Sequence, residues 1–287
     1  MLFHHPFSLE LMPRAVMAEG SAALLRRLPP ATRVFLPHLP GSQFDEVVAA
    51  ALAVQRAGLR PVAHVAARRW RHAAEAERAL QALYHAVGHE DGLELLVVGG
   101  TERSPRGTEN GVGLDSGVPA FENALGLVSS GLLSAAGVRT VCVAAHPEGI
   151  PGVPPSVTTQ ALRDKAAALQ VQGIESQAVT QFSFDASALR QLVDSLPAMG
   201  IGRASLGLVG PVKASVLAKY AQACGVRLLP AGENGAEEFA YSPEALLREL
   251  SAGRDEDDGV ELSLHVFPFG GLKTTLGWLE SSFLNKS

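Results

Sequence analysis

Short apolar runs alternate with longer, Ala- and Leu-rich amphipathic stretches along almost the whole chain. This rhythm is typical of βα units wound around a parallel sheet, and eight units can be counted. The predicted strands are residues 6-12, 33-38, 60-66, 94-99, 139-145, 176-182, 205-210 and 260-267. The predicted helices lie near 20-28, 43-58, 70-88, 119-135, 158-171, 186-198, 213-223 and 271-281, with an extra helix near 243-252.

Eight strands and eight helices without a break in composition favour one α/β domain over residues 1-287. Its expected fold is a (β/α)8 TIM barrel with the extra helix before the last strand. The segment 226-260 is polar and glycine-rich in part, which leaves open a doubly wound sheet with an appended subdomain. In either fold, ligands bind at the carboxyl ends of the strands, so polar residues at those ends are the candidates for function.

Composition excludes several classes of partner. The 287 residues are 47% hydrophobic and 18% charged, the net charge is -5, and no basic stripe occurs, so nucleic-acid binding is not expected. No apolar run reaches the roughly 18 residues that a membrane span needs. The first residues lack the basic start and apolar core of a secretory signal. The only cysteines, Cys142 and Cys224, stand in apolar contexts, which favours a cytoplasmic protein without disulfides.

Glu10 interrupts the first apolar strand between Leu9 and Leu11. Burying a carboxylate is costly unless it is paired or protonated, so desolvation is expected to raise its pKa into the range of a general acid. An outward-facing glutamate in a salt bridge is the competing interpretation.

Gln181 lies between apolar residues near the end of the sixth strand. Its amide can donate and accept hydrogen bonds at once, which suits a flat heterocycle with adjacent N–H and C=O groups. Capping of backbone groups at the strand end would explain it equally well.

Three histidines fall on or just after predicted strands: His64, His146 and His265. A lone histidine in an apolar strand is more often a core residue than a catalyst. Because no HxH or HExxH spacing occurs, no metal site is predicted. The turns at Gly99-Gly100-Thr101 and at 207-211 could bind phosphate, although tight turns at strand ends account for them without a ligand.

From residue 6 to residue 281, the strand ends taken in order resemble the barrel of methylenetetrahydrofolate reductase. FSLELMP at 7-13 is similar to the family's opening SFEFFPP, and TQFSFD at 180-185 is similar to its TQFFFD. PVAH at 61-64 resembles a PHL strand, LVVGGT at 96-101 an LRGD strand end, and AHPE at 145-148 a YPE or HPE turn. GLVGPV at 207-212 resembles a GI-x-P-V turn, and LHVF at 264-267 the final HFYTLN strand.

The resemblance implies hydride transfer between NADH or NADPH and 5,10-methylenetetrahydrofolate, giving 5-methyltetrahydrofolate, or the reverse reaction in one-carbon catabolism. Glu10 would be the general acid that protonates N10 of the folate, and Gln181 would read the pterin ring. The other residues implied on the folate side are Thr180, Phe184 and His265. Those implied on the redox-cofactor side are His64, Gly100, Thr101 and His146.

The departures from the family concentrate on its flavin. Thr101 stands in place of the aspartate that faces the flavin ring, and Ile150 in place of a second histidine. Leu169 and Gln170 align with the basic pair that helps to hold the FAD phosphates. Each lost cation removes charge-assisted hydrogen bonds worth roughly 1.5 to 3 kcal/mol. These departures favour direct transfer without tightly bound FAD. An FAD enzyme with altered contacts and a redox-inactive folate-binding barrel are the alternatives, and the sequence gives no oligomeric state.

Overall fold

All eight predicted strands are present in the computed structural model, which describes residues 7-88, 92-100, 119-228, 243-251 and 259-284. The strands are β1 (Phe7–Glu10), β2 (Arg33–Leu36), β3 (Arg60–Ala66), β4 (Leu93–Val98), β5 (Val138–Ala145), β6 (Glu175–Phe182), β7 (Arg203–Val209) and β8 (Glu261–Phe267). Their bounds differ from the predicted ones by a few residues at most.

The strands form one closed barrel in chain order, and every neighbouring pair is parallel. Closure comes from β1 and β8, where Ser8 lies opposite His265 and Leu9 opposite Val266. The predicted (β/α)8 barrel is therefore confirmed, and a doubly wound open sheet is excluded. The closure therefore places Ser8 of the first strand beside His265 of the last.

The helices follow the strands as the rhythm predicts. They are α1 (Pro13–Val16), α2 (Ser21–Leu25), α3 (Phe44–Arg56), α4 (Ala73–Val87), α5 (Ala124–Ser129), α6 (Leu132–Ala135), α7 (Pro155–Val171), α8 (Ala186–Ser195), α9 (Ala214–Cys224), α10 (Pro243–Ser251) and α11 (Leu272–Leu279). The extra helix before the last strand is α10. The predicted helix 119-135 is divided into α5 and α6 because Gly131, at φ 80°, interrupts it in the left-handed region. Within the described ranges, none of the helices has the length and apolar character needed to cross a bilayer.

Alternation along the strands separates two sets of side chains. One set packs against the helices in the main core, as Leu9 and Val34 do. The other set fills the middle of the barrel with the apolar side chains of Phe35, Val62, Leu96, Cys142 and Val179. The barrel is therefore a packed core with no open channel through it.

The amino end of the barrel is polar. Arg33 forms an ion pair with Glu94 at 3.0 Å and donates hydrogen bonds to Gln177 at 2.6 Å and Ser205 at 3.0 Å. A cavity of about 340 Å³ opens beside this network. It lies at the opposite end from the residues predicted to carry function, and its lining contains two ion pairs, Arg33 with Glu94 and Arg203 with Glu175. We assign this end to structural stability.

Candidate active site

Glu10 is brought together with two of the predicted histidines at the carboxyl end of the barrel. Its Oε2 atom lies 3.6 Å from Nε2 of His64 on β3 and 3.7 Å from Nε2 of His265 on β8. The Glu10 side chain is 25% exposed, whereas both histidines are buried beneath it. The ring of Phe35 on β2 packs against both imidazoles, with its centroid 4.5 Å from that of His265 and 6.0 Å from that of His64. Glu10, His64 and His265 thus form a cluster of side chains from three strands, and Glu10 is the member that faces solvent.

The expected direction of the Glu10 pKa shift is wrong. Burial does raise the pKa of this carboxyl, but the interaction with His265 and the charges of His64 and His265 outweigh burial and hold the pKa below its usual value. The sequence indicates the apolar neighbours of Glu10 on its own strand, whereas the imidazoles reach it from other strands. At neutral pH the carboxyl is ionised, which is the form that accepts a proton.

His64 is a buried, neutral imidazole. Burial lowers its pKa to about 4, and the opposing effect of the Glu10 charge is too small to restore it. Its Nε2 atom, like that of His265, has no hydrogen-bond partner among the described residues. A neutral ring packed against Phe35 shields Glu10 from water on the inner side. It does not supply a permanent positive charge.

His265 is held by Ser8, a residue that the sequence analysis did not single out. The Ser8 hydroxyl lies 2.9 Å from Nδ1 of His265 and 3.2 Å from the carbonyl oxygen of Leu264. Both side chains are fully buried. The period of two along β1 could have revealed Ser8, because it places residues 8 and 10 on the same face of the strand.

Gln181 reaches the carboxyl end of β6 at an irregularity in the pairing with β7. Its Oε1 atom accepts a hydrogen bond from the backbone N–H of Phe182 at 3.0 Å. This is the capping role that the sequence left open. The backbone uses one lone pair of this oxygen, and the Nε2 group is the donor that the amide can offer to a ligand.

Thr180 and Phe184 lie close to Gln181 in the chain and are both buried. Thr180 is buried, and its Oγ1 accepts the backbone N–H of Gly207 at 2.8 Å. Phe184 is buried in an aromatic cluster, with its ring centroid 5.8 Å from that of Phe182. In this conformation neither residue presents a polar side-chain atom to solvent. They support the position of Gln181.

The turn after β5 is tied to its neighbours through Glu148, whose side chain is only 5% exposed. Glu148 accepts a hydrogen bond from Ser183 Oγ at 2.7 Å and another from the backbone N–H of Arg227 at 2.9 Å. The Arg227 guanidinium also contacts Asp185, at 3.5 Å. This carboxylate fixes the loops beside Gln181, a role that the sequence analysis missed because its partners are distant in sequence.

The other residues predicted on the cofactor side lie in neighbouring turns. Burial, assisted by the charge of Lys165, lowers the pKa of His146. Gly100 adopts φ 76°, and its carbonyl accepts a hydrogen bond from Arg68 Nη1 at 2.8 Å, which ties the turn after β4 to the turn after β3. Thr101 lies outside the described residues. The turn at Gly100 therefore has the tight-turn role that the sequence left open.

A second cavity, of about 420 Å³, lies beside the turns after β2 and β3. His38 and Trp70 line it, and their rings pack together with the ring of Phe44. Burial, with a further contribution from the Arg69 charge, lowers the pKa of His38 to about 4. The sequence analysis did not select His38, whose position two residues after a strand was the available signal.

The positions aligned with the family's flavin-binding cations do not fit a pyrophosphate. Leu169 is fully buried in the core, and its neighbour Gln170 is exposed and uncharged. A buried leucine can offer no hydrogen bond to a phosphate, and the exposed glutamine offers no cation, so these two positions cannot replace the basic pair. Among the described residues, no group of His, Cys, Asp and Glu side chains is placed to hold a metal ion.

No protein-family model matches the chain. Among solved structures, it is similar to the 3-dehydroquinate dehydratase of Aquifex aeolicus, with a TM-score of 0.39 and 14% identity over 85% of this chain and 97% of that one. It is also similar to a short chain dehydrogenase of Mycobacterium thermoresistibile, with a TM-score of 0.29 and 15% identity over 90% and 93% of the two chains. A β-N-acetylhexosaminidase has a TM-score of 0.30 and 10% identity over 91% and 66%. At these TM-scores the likenesses carry no argument about the activity of this chain.

Proposed function

We propose that the chain is an NAD(P)H-dependent methylenetetrahydrofolate reductase that transfers the hydride directly between the nicotinamide and the folate. The observation that carries this proposal is Glu10, a partly exposed carboxylate at the carboxyl end of β1 that rests on two buried imidazoles. A group so placed can exchange a proton with a bound ligand while its inner side is shielded from water.

The chemistry requires one acid or base and a means of orientation. In the reductive direction, protonation of N10 opens the five-membered ring of the folate, and the reduced nicotinamide supplies a hydride to the exposed methylene carbon. Glu10 is the group proposed to donate that proton. No metal is needed for a hydride transfer between two organic molecules.

In the proposed mechanism, Gln181 orients the pterin ring of the folate. With Oε1 held by the backbone N–H of Phe182, its Nε2 group has a fixed direction and can donate to an acceptor on the pterin ring. The aromatic cluster around Phe184 and the Glu148 contacts limit the movement of this strand end. Fixed orientation of the electrophilic carbon against the hydride donor lowers the entropic part of the barrier.

The ionisation of Glu10 bears on the direction of the reaction. At neutral pH the carboxyl of the free protein is ionised, which suits oxidation of 5-methyltetrahydrofolate because ring closure releases the N10 proton to a base. The reductive direction needs the protonated acid. Covering the exposed part of Glu10 with an apolar ring would add desolvation and raise its pKa, so proton uptake on folate binding would provide that form.

The residues at the two positions aligned with the basic pair support transfer without tightly bound FAD. The buried Leu169 and the uncharged Gln170 supply no cation for a pyrophosphate. In the proposed mechanism, Glu10 and Gln181 act on the folate alone, so neither role requires a flavin.

A spectrum and a steady-state assay test the proposal together. The purified protein is examined for flavin absorbance, and oxidation of NADH and of NADPH is followed with 5,10-methylenetetrahydrofolate, with and without added FAD. Turnover by a colourless protein without FAD is the expected result. A yellow protein, or turnover only after FAD is added, overturns direct transfer. Absence of turnover in both directions, with folate still bound, favours a redox-inactive folate-binding barrel.

A further inference from the structure

Ser8, His265 and Glu10 form a line from the barrel interior to the solvent-facing end. Ser8 Oγ lies 2.9 Å from His265 Nδ1, and the opposite ring nitrogen, Nε2, lies 3.7 Å from Glu10 Oε2. Ser8 and His265 are fully buried, and Glu10 is partly exposed. Any change in the charge of Glu10 therefore acts on a ring whose other side is fixed to a serine hydroxyl.

The Ser8 hydroxyl has one proton and two places to donate it. It can donate to Nδ1 of His265, or it can donate to the carbonyl oxygen of Leu264 and accept a hydrogen bond from Nδ1–H instead. The first arrangement requires a bare Nδ1, so a neutral ring carries its proton on Nε2. The second arrangement requires a protonated Nδ1. Ser8 can thus pair with the buried Nδ1 atom in either state, which avoids the cost of leaving that atom unpaired.

The charge of Glu10 selects between the two arrangements. An ionised carboxylate repels a bare Nε2 lone pair and attracts an Nε2–H group. When the Glu10 and His265 pair gains a proton, either the carboxyl moves in from 3.7 Å and donates to Nε2 or the ring becomes an imidazolium. In both cases Nδ1 carries a proton, which Ser8 must accept.

We propose that Ser8 and His265 form a proton-adjusting relay beneath Glu10, in which the serine hydroxyl turns from Nδ1 to the Leu264 carbonyl each time the pair gains a proton. The relay rests on the proposed function, because it prepares Glu10 to give its proton to folate N10 and to recover it. Ser8 and His265 are positioning residues in this scheme, since only Glu10 reaches a ligand. No atom is lost or gained except the one proton exchanged with the substrate or with water.

Few other described groups face the pair. His64 on β3 approaches Glu10 from the side and is neutral above its pKa of about 4. Cys224 at the end of α9 feels the Glu10 charge, and burial raises the pKa of its thiol, so it is also neutral near pH 7. The rings that pack against His265, those of Phe35 and Phe267, are apolar. Near pH 7, neither His64 nor Cys224 therefore adds a charge beside the pair.

Nitrogen-15 NMR of the histidine rings in the wild-type protein tests the relay without turnover. The His265 signals are identified by their absence in His265→Gln. At neutral pH the free protein is expected to show a bare Nδ1 and a protonated Nε2. Addition of 5-methyltetrahydrofolate without nicotinamide is expected to protonate Nδ1 as the pair takes up a proton. A protonated Nδ1 in the free protein overturns the relay, as does a ring whose tautomer stays the same when folate binds.

Kinetics of Ser8→Ala give a second reading. Ser8→Ala removes the partner of Nδ1 in both states, but the bond lost from an imidazolium is charge-assisted and the stronger of the two, so proton binding by the pair weakens and the alkaline limb of the reductive kcat profile should move down by roughly 0.5 to 1 pH unit. Ser205→Ala, which removes another fully buried serine at the amino end of the barrel, is the matched control and should leave the limb in place. A Ser8→Ala enzyme that is slower at every pH, with an unmoved limb, has lost only packing and contradicts the relay.

The two proposals can fail separately. A protein that binds no folate and shows no turnover contradicts the proposed function. In that case, NMR of the free protein still shows whether Nδ1 of His265 is bare, as the relay requires, or protonated. If the enzyme turns over but the tautomer of His265 does not change when folate binds, the reductase proposal is supported and the relay is contradicted.

Discussion

Gly207 on β7 donates its backbone N–H to Oγ1 of Thr180 on β6 across 2.8 Å. The two strands come so close that a Cβ atom at position 207 would lie 2.6 Å from the Thr180 carbonyl oxygen and 2.7 Å from the backbone of Gln181. This contact holds the irregular end of β6 against β7. It connects a glycine that the sequence analysis considered for phosphate binding to the position of the proposed pterin reader.

Gly207→Ala should destabilise the protein by about 2 to 3 kcal/mol, because backbone atoms cannot move aside as a flexible side chain can. Urea unfolding measures the loss. Gly202→Ala is the control, since a Cβ there meets nothing within 4 Å. It should change stability by less than about 0.5 kcal/mol. Equal effects of the two substitutions would contradict the close approach of the strands.

Glu10→Gln should lower kcat by roughly 100-fold or more and leave folate affinity near normal, the range expected for loss of a general acid or base. The amide keeps the size of the side chain and removes its exchangeable proton. Steady-state kinetics and equilibrium folate binding give the two readings. An unchanged kcat would remove Glu10 from the mechanism.

Folate binding at neutral pH should take up close to one proton per site, because the free Glu10 carboxyl is ionised and the bound one is shielded from water. Calorimetry in buffers of different ionisation enthalpy measures this number. In Glu10→Gln the uptake should vanish while binding persists. Proton uptake of the same size in the variant would assign it to another group.

Gln181→Glu should raise the KM for folate by roughly 10-fold to 100-fold, because the carboxylate can still accept the Phe182 N–H but cannot donate to the pterin. Gln170→Glu makes the same change of charge on the exposed face of α7 and serves as the control. If the two variants have the same KM, Gln181 only caps its strand.

Stability should fall as the pH drops from about 6.5 towards 4. The pKa of His38 is about 4 in the folded protein against an ordinary 6.5, so the unfolded chain binds more protons in that interval. The corresponding loss is roughly 2 to 3 kcal/mol for this residue. His38→Phe keeps a ring against Phe44 and Trp70 and should make the profile roughly half as steep in urea unfolding at a series of pH values, because His64 has a similarly lowered pKa of about 4 and contributes the rest. An equally steep profile in the variant would show that His38 does not carry the effect.

The barrel could be predicted from sequence because its signal is local. Each short apolar run is largely buried and is covered by an amphipathic stretch, so the rhythm alone predicts eight βα units and places Glu10 and Gln181 near the carboxyl ends of their strands. Even the extra helix, Pro243–Ser251, follows from its local pattern. The break at Gly131 was missed, because a glycine inside a helical pattern does not reveal its φ angle.

The chemistry of the site was decided only in three dimensions. The sequence determined that a carboxylate stands among apolar residues on the first strand, and by itself this predicts a raised pKa. Closure of the barrel brings His265 from the last strand, and β3 brings His64, so that their interactions with Glu10 outweigh burial. Electrostatic effects depend on distances between atoms that lie far apart in the chain, and only the tertiary structure sets those distances.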